Sequence, residues 1–363
     1  MERTDMSQMN ELGFFTLAGA PESPRELVDE VRQGEEMGFG SVFVSERLNI
    51  KEVATLSGAV GVTSERMGVA TGATNHHTRH PAVTAAFAMT MHSLTGGRFC
   101  LGLGRGVSLL SKAFGLDPVT TAQVEDFVGL MRRLWAGESI FGHDGPAGSY
   151  PYLSLRGATS EHIPMAWMAF GPNSLALGGR CFDAVVLHTF FTDETTERVV
   201  AAVKRSAEEA GRDPNAVRVW SCFATLGDHL PEDLRLKKSV GRMATYLQGY
   251  GELLVRTNNW DMAVLERFQA DPFIAGFSGA IDQLATTDQL EHVAELIPEE
   301  WLAPAASGSP AQCVEKIRGQ FDLGCDGVIL HGASPDQLSP IVDEYARTRP
   351  AGTFDHLAAN PGA

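Results

Sequence analysis

The chain has 363 residues, with 45 acidic and 29 basic side chains, a net charge of −16, 44 % hydrophobic residues and 20 % charged ones. That apolar content excludes a disordered chain, and the acidic balance excludes a nucleic-acid backbone as the main partner. No apolar run reaches the roughly 18 residues of a membrane helix, and Met1 to Asn10 carry neither the basic patch nor the apolar stretch of a signal peptide, so no membrane contact and a cytoplasmic location are expected.

In chain order, β-rich runs alternate with stretches of helical spacing. Strands are expected at Leu12 to Leu17, Ser41 to Ser45, Met67 to Thr71 and Phe99 to Leu103, with helices at Arg25 to Met37, Ile50 to Val62 and Pro81 to Leu94 between them. A helix from about Thr120 to Trp135 follows, then a Gly-, Tyr- and Pro-rich insertion over about 137–161, read as a loop or small hairpin. The alternation resumes with strands at Pro164 to Ala169, Asp183 to Leu187, Val217 to Leu226 and Gly327 to Leu330, and helices starting near Asn173, Thr192, Pro310 and Pro335. Eight parallel strands with intervening helices predict an α/β fold, the (β/α)8 barrel, as a single domain over 1–350. The segment 230–301 reads as a helical insertion between strands seven and eight, over the C-terminal mouth. Its Tyr246, Tyr250 and Trp260 fit either an aromatic pocket or the core, and the tail 351–363 is expected to be flexible.

Cys100, Cys181, Cys222, Cys313 and Cys325 form no paired motif and read as free thiols in a reducing compartment. Helix 50–62 is rich in small residues (Ala54, Gly58, Ala59, Gly61), which suits close packing across a dimer interface or against the barrel.

A barrel keeps its active site at the C-terminal strand ends. Strand two ends in Glu46-Arg47, a charged pair able to meet a ligand's ring edge, to orient each other, or to be purely structural. Strand three runs through Thr71-Gly72-Ala73 to His76, His77 and His80. No carboxylate or thiolate completes a metal set there, so no metal is expected; His80 suits a helix cap, and His76 and His77 suit a polar, partly catalytic loop. Strand four carries Gly102, Gly104, Arg105 and Gly106. The spacing is not a dinucleotide fingerprint; glycines here clear one side of the strand for a flat ring system or mark a bulge, and Arg105 suits an anion or a salt bridge. Strand five ends in Ala169-Phe170-Gly171-Pro172-Asn173-Ser174, a glycine turn into a helix N-terminus where an oxyanion could sit and where Asn173 or Ser174 could cap. His188 and His331, at the ends of strands six and eight, raise the prospect of a proton-handling site. Glu46 and Asp183 are poorly placed to form a hydrolytic carboxylate pair.

Taken together, Val42-Phe43-Val44-Ser45-Glu46, Thr71-Gly72 with Arg79-His80-Pro81, Thr95-Gly96-Gly97-Arg98-Phe99 with Leu101 to Gly106, and Phe170-Gly171-Pro172-Asn173-Ser174 with Ala184 to Leu187 resemble the bacterial luciferase-like superfamily of flavin and deazaflavin oxidoreductases. Ser309-Pro310 through Gly327-Val328 fits its closing part. The resemblance implies a barrel, usually dimeric, that binds the deazaflavin coenzyme F-420 or flavin mononucleotide (FMN) and acts on a small-molecule substrate. It implies Glu46 at the cofactor and substrate pocket, Thr71, Gly72 and Ala73 as the cis-peptide bulge behind the ring, and Ala169 to Asn173 as the phosphate segment. Arg47 stands where several relatives have a catalytic histidine. Arg105 and Gly106 resemble the arginine-glycine pair that holds the flavin phosphate in luciferase, the feature that favours FMN. The remainder resembles the deazaflavin branch, so hydride transfer between F-420 and an alcohol, ketone, imine or enone is the leading expectation, with His76, His77, His188 or His331 handling the proton. The alternatives are an FMN-dependent monooxygenase served by a flavin reductase, and a non-catalytic flavin-binding barrel.

Overall fold

A computed structural model describes residues 8–18, 21–106, 108–157 and 161–363, with the backbone alone at 108–110. Residues 1–7, part of the stretch read for a signal peptide, and 158–160 of the 137–161 insertion lie outside it.

Eight parallel strands close into a barrel: β1 (Met9–Thr16), β2 (Phe39–Val44), β3 (Gly68–Thr71), β4 (Phe99–Leu103), β5 (Met165–Met168), β6 (Ala184–Val186), β7 (Arg218–Gly227) and β8 (Gly327–His331). Each pairs with the next, β8 pairs with β1, and no edge is left in the ring. All eight expected strands are present. A short strand, Ala306–Gly308, adds to the outside of β7, and this one has no periodic signal of its own.

The helices α1 (Glu26–Glu36), α2 (Val53–Thr63), α3 (Pro81–Leu94), α4 (Thr121–Trp135), α5 (Pro172–Cys181) and α6 (Asp193–Glu209) cover the first six strands. Helix α2 begins three residues later than its apolar pattern suggests, because Glu52 caps it by accepting from Ala54 N and Thr55 N at 3.0 and 2.7 Å. The 137–161 insertion is a hairpin, Ile140–Gly145 against Gly148–Leu153. After β7 the chain is helical from Glu232 to Leu302, with a π turn at Lys237–Gly241 leading into α7 (Arg242–Thr257), which kinks at Tyr250. Trp260 stacks on the fully buried Trp301, with ring centroids 4.8 Å apart, and so belongs to the core. Helices α8 (Pro310–Asp322) and α9 (Pro335–Thr348) complete the layer.

The barrel interior follows from the two-residue period of a strand. Phe43, Ala70, Cys100, Ala166, Val186, Trp220, Cys222 and Ile329 form its packed centre, under Phe15 and Met168. Carrying the same alternation upward from Val186 and Ile329 places His188 and His331 on the inward side at the mouth.

The lower end differs from the flexible tail read from the sequence. Residues 357–363 enter the barrel from its N-terminal face. Asn360 is buried and donates to Gly97 O and Phe99 O at 2.8 and 2.9 Å, Trp220 Nε1 donates to Pro361 O at 2.8 Å, and Asn10 Nδ2 donates to Leu357 O at 2.6 Å. Arg218 donates to the carbonyls of Ala358, Asn360 and Ala363 and lies over Trp220. A Cβ on Gly68 would stand 1.9 Å from Ala359 O, so that glycine makes room for the tail. Small residues and glycines at the strand starts leave a hollow floor, and the tail fills it; a composition rich in Ala, Gly and Pro hid this.

Candidate active site

The mouth is built from the strand ends upward. At the end of β3, Gly72-Ala73 is a cis peptide. Its backbone is tied on both sides: Gly72 N donates to Val44 O at 2.7 Å, Glu46 N to Ala73 O at 3.1 Å, and Thr74 N to Gly102 O at 2.9 Å. Thr71 Oγ1 both donates to Gly102 O and accepts from Gly102 N, each at 2.7 Å. A Cβ on Gly102 would stand 1.8 Å from Thr71 O, and one on Gly104 3.0 Å from Ala73 Cβ. The close approach of Thr71 O and of Ala73 Cβ therefore accounts for both glycines through the neighbouring bulge.

Glu46 makes no hydrogen bond to Arg47. Its side chain is 5 % exposed and is held by Thr74 Oγ1 at 2.6 Å and by both terminal nitrogens of Arg79, which also reaches Glu52. Glu52 is lowered to about 2; burial opposes this, and the N–H groups of Thr55 and Ala54 with the Arg79 contact outweigh it. Arg79 is the residue missed by reading strand ends singly: an acid closing one strand and an arginine leaving the next is an adjacent-strand pair.

Arg105 donates to Val119 O at 2.9 Å and Thr121 Oγ1 at 2.6 Å, so it fastens the start of α4 without a carboxylate. Gly106 sits at φ 71° and is exposed. The α5 N-terminus is begun by Gly171 and has no side-chain cap; Ser174 instead accepts from Trp167 Nε1 at 2.7 Å, correcting the expected cap. Ala169 is buried, and Phe170 and Gly171 face the mouth half-buried. Pro172 and Asn173 are exposed.

The four histidines fall into two pairs. His76 is buried against Phe127 and beside His77. Neither ring nitrogen of His77 has a hydrogen-bond partner, although both are shielded from solvent. His80, as expected, caps α3 through Ala82 N. His188 stacks on Phe170, with centroids 4.2 Å apart and planes 4° from parallel; its Nδ1 donates to Thr189 O at 2.9 Å and its Nε2 accepts from Tyr250 OH at 3.0 Å. His331 meets Phe15 edge-on, and Arg242 Nη1 stands 3.2 Å from each of its ring nitrogens. Lys238, Arg242, Tyr246 and Tyr250 recur every four residues, a spacing that puts them on one helical face over the mouth. That was the available signal for Arg242 and Lys238, and only the tyrosines were read from it.

Burial holds these imidazoles neutral. His76 is lowered to about 4 by burial and then by the His77 and Arg105 charges, His188 to about 4 by burial, and His331 falls well below the usual range through burial and the cations around it. The unfolded chain then binds more protons than the folded one between pH 6.5 and about 4, so stability falls as pH falls through that window. Urea midpoints should drop steadily from pH 7 to pH 4.5; a flat profile would show that the rings carry charge when folded.

Among the described residues, no group of three or more His, Cys, Asp or Glu side chains is placed to hold a metal ion. No described helix is long and apolar enough to cross a membrane. Asp183, at the start of β6, binds Arg132 and Met165 N at the opposite end of the barrel from Glu46. The five thiols are free, and burial pushes Cys222 up to about 11 and Cys313 and Cys325 to about 12.

A closed parallel barrel with polar and aromatic side chains gathered at its C-terminal mouth defines a (β/α)8 barrel with an enzyme-type site. The chain belongs to the luciferase-like monooxygenase family, whose sequence profile matches residues 8–352. It is 25 % identical over 323 residues to a 5,10-methylenetetrahydromethanopterin reductase of Methanolobus tindarius, covering 87 % of this chain and 93 % of that one. It is 26 % identical over 333 residues to an F420-dependent glucose-6-phosphate dehydrogenase of Segniliparus rotundus, covering 87 % and 90 %. The fold matches the coenzyme F420-dependent tetrahydromethanopterin reductase of Methanopyrus kandleri with a TM-score of 0.76 at 18 % identity, over 94 % of this chain and 98 % of that one.

Proposed function

We propose that this chain is an oxidoreductase that transfers a hydride between coenzyme F420 and a small organic substrate. The observation that carries the reading is that both sequence relatives align along 87 % of the chain and that one is named F420-dependent, as is the fold match. The mouth suits such a cofactor in three respects. The half-buried Gly72-Ala73 bulge presents bare backbone to a flat ring, His77 has an unmet hydrogen-bonding demand, and the uncapped α5 N-terminus offers N–H groups to an oxyanion. Arg105, the feature favouring FMN, is engaged by Val119 and Thr121.

Bound F420 supplies a two-electron hydride carrier. The proton that a hydroxyl gives up as its carbon is oxidised falls to the protein. Tyr250, kept protonated by burial, takes it at its hydroxyl oxygen while passing its own to His188 Nε2. Glu46 and Arg79 fix the bulge rather than move protons.

Exposed apolar side chains, Ile50 and Val62 at 51 % and 71 % and Val83 and Leu94 at 55 % and 46 %, sit beside or on α2 and α3 and support a homodimer through that face. Titrating the apo-protein anaerobically with F420 and with FMN tests the cofactor. Micromolar or tighter binding of F420, with FMN weaker by at least about ten-fold, is expected. Preferential FMN binding would overturn the reading and point to an oxygen-dependent enzyme with a reductase partner.

A further inference from the structure

Four cations converge over one side of the mouth. Arg47 and Lys51 face each other across a tight turn after β2, each backbone N–H donating to the other's carbonyl at 3.1 and 3.0 Å. Lys51 Nζ donates to Leu17 O at the end of β1, at 2.6 Å, and Lys238 Nζ donates to Gly332 O just after β8. Arg242 stands against His331, and its Nε is buried with no partner. Strands β8, β1 and β2 are consecutive in the barrel, so all four groups crowd one arc of the rim.

None of the four forms an ion pair among the described residues. Glu30 is the carboxylate felt by Lys51 and, more weakly than Asp336, by Lys238, and it already accepts from Thr16 Oγ1 and Leu17 N at 2.6 and 2.7 Å. Asp336, the other acid felt by Lys238, accepts from Ser334 Oγ. The crowding registers in the lysines: Lys51 is lowered to about 8 by burial and Arg47, and Lys238 to about 8 by burial and Arg242. In a chain of net charge −16, unpaired positive charge gathered on one arc of the barrel rim calls for an anion.

We propose that Arg47, Lys51, Lys238 and Arg242 form an oxyanion pocket for a phosphate or carboxylate group carried by the substrate. This rests on the cofactor reading above in one respect. The bulge of β3 and the α5 N-terminus, assigned there to F420, lie on other arcs of the mouth; His188, after β6, lies between, and His331 stands on the cation arc itself. An anion held at β8–β1–β2 puts the rest of a small substrate beside those histidines and against the ring face. The neutral His331 then sits between the substrate's anion and its reacting carbon, where it can donate a hydrogen bond without adding charge.

The probe is inorganic phosphate, titrated calorimetrically into the wild-type chain and into Lys51→Gln, Arg242→Gln and Lys51→Arg, with F420 titrated in parallel. Saturable phosphate binding is expected, weakened about ten-fold or more by either Gln substitution and largely kept by Lys51→Arg, with F420 affinity changed less than about three-fold. Near-ultraviolet circular dichroism establishes that each variant is folded. Absence of saturable phosphate binding to the wild type overturns the pocket. Loss of F420 affinity in step with phosphate also overturns it, by making the cluster a cofactor-tail site. Phosphate binding that behaves as expected in a chain that ignores F420 leaves the pocket standing and removes the cofactor reading alone.

Discussion

Tyr250→Phe should lower kcat for the proposed F420-linked oxidation of an alcohol about 10²–10⁴-fold, the range for loss of a positioned proton-transfer group, with F420 affinity essentially unchanged. The substitution removes one oxygen and leaves the ring, which stacks on Tyr246 with centroids 5.5 Å apart and meets Phe170 edge-on. His188→Gln lowers kcat to a comparable degree, because an amide oxygen can still accept a hydrogen bond from Tyr250 but cannot take its proton, and the stack on Phe170 is lost as well. The two effects should be far from additive, as the proposed relay through the Tyr250–His188 hydrogen bond requires. A stopped-flow comparison of hydride-transfer rates, with kcat and KM separated, checks both. Should Tyr250→Phe keep more than about a tenth of the turnover while His331→Gln abolishes it, the proton leaves on the other side of the mouth.

Deleting residues 357–363 should destabilise the protein by about 3–5 kcal/mol or more. Arg218 is the reason. Burial lowers it to about 10, and its positive charge is met by the carbonyls of Ala358, Asn360 and Ala363 and by the face of Trp220. Without the tail it keeps the Asn10 carbonyl and the face of Trp220 but loses its other carbonyls in a hollow floor, and Trp220 Nε1 and Asn10 Nδ2 lose their acceptors. Asn360→Ala is the milder test, at about 1–3 kcal/mol, because it leaves the carbonyls of Gly97 and Phe99 unmet. Urea unfolding measures both, and a deletion variant as stable as the parent would refute the floor's role. The mouth lies at the other end of the barrel, so Asn360→Ala should keep its F420 affinity while it remains folded.

The barrel was legible because its strands are buried on both faces and its helices on one, which writes two distinct periods into the chain. The eight strands could be placed from runs such as Val42-Phe43-Val44 and Val328-Ile329-Leu330. Ala306–Gly308 could not, since three small residues have no period. His188 and His331 were legible as strand-end histidines, because the period of two fixes their direction once the strand is known. What Glu46 touches was not: its partner Arg79 is 33 residues away and on the next strand's loop. The glycines of β4 were visible as a signal but not as a cause, because the carbonyl that Gly102 must clear belongs to Thr71. The cation cluster draws on loops separated by nearly two hundred residues, and only closure of β8 onto β1 brings them together.

The plugged floor also bears on when this protein can fold during synthesis. Asn10 waits on Leu357, a partner 347 residues later, and β1 itself cannot be paired on both sides until β8 has been made. A ribosome releasing the chain from its N-terminus therefore exposes an unfinished, open-bottomed ring until residues 357–363 have cleared the exit tunnel. Strand β1 keeps one unpaired edge from its own synthesis until that of β8, the period in which a nascent chain most needs a chaperone's shelter.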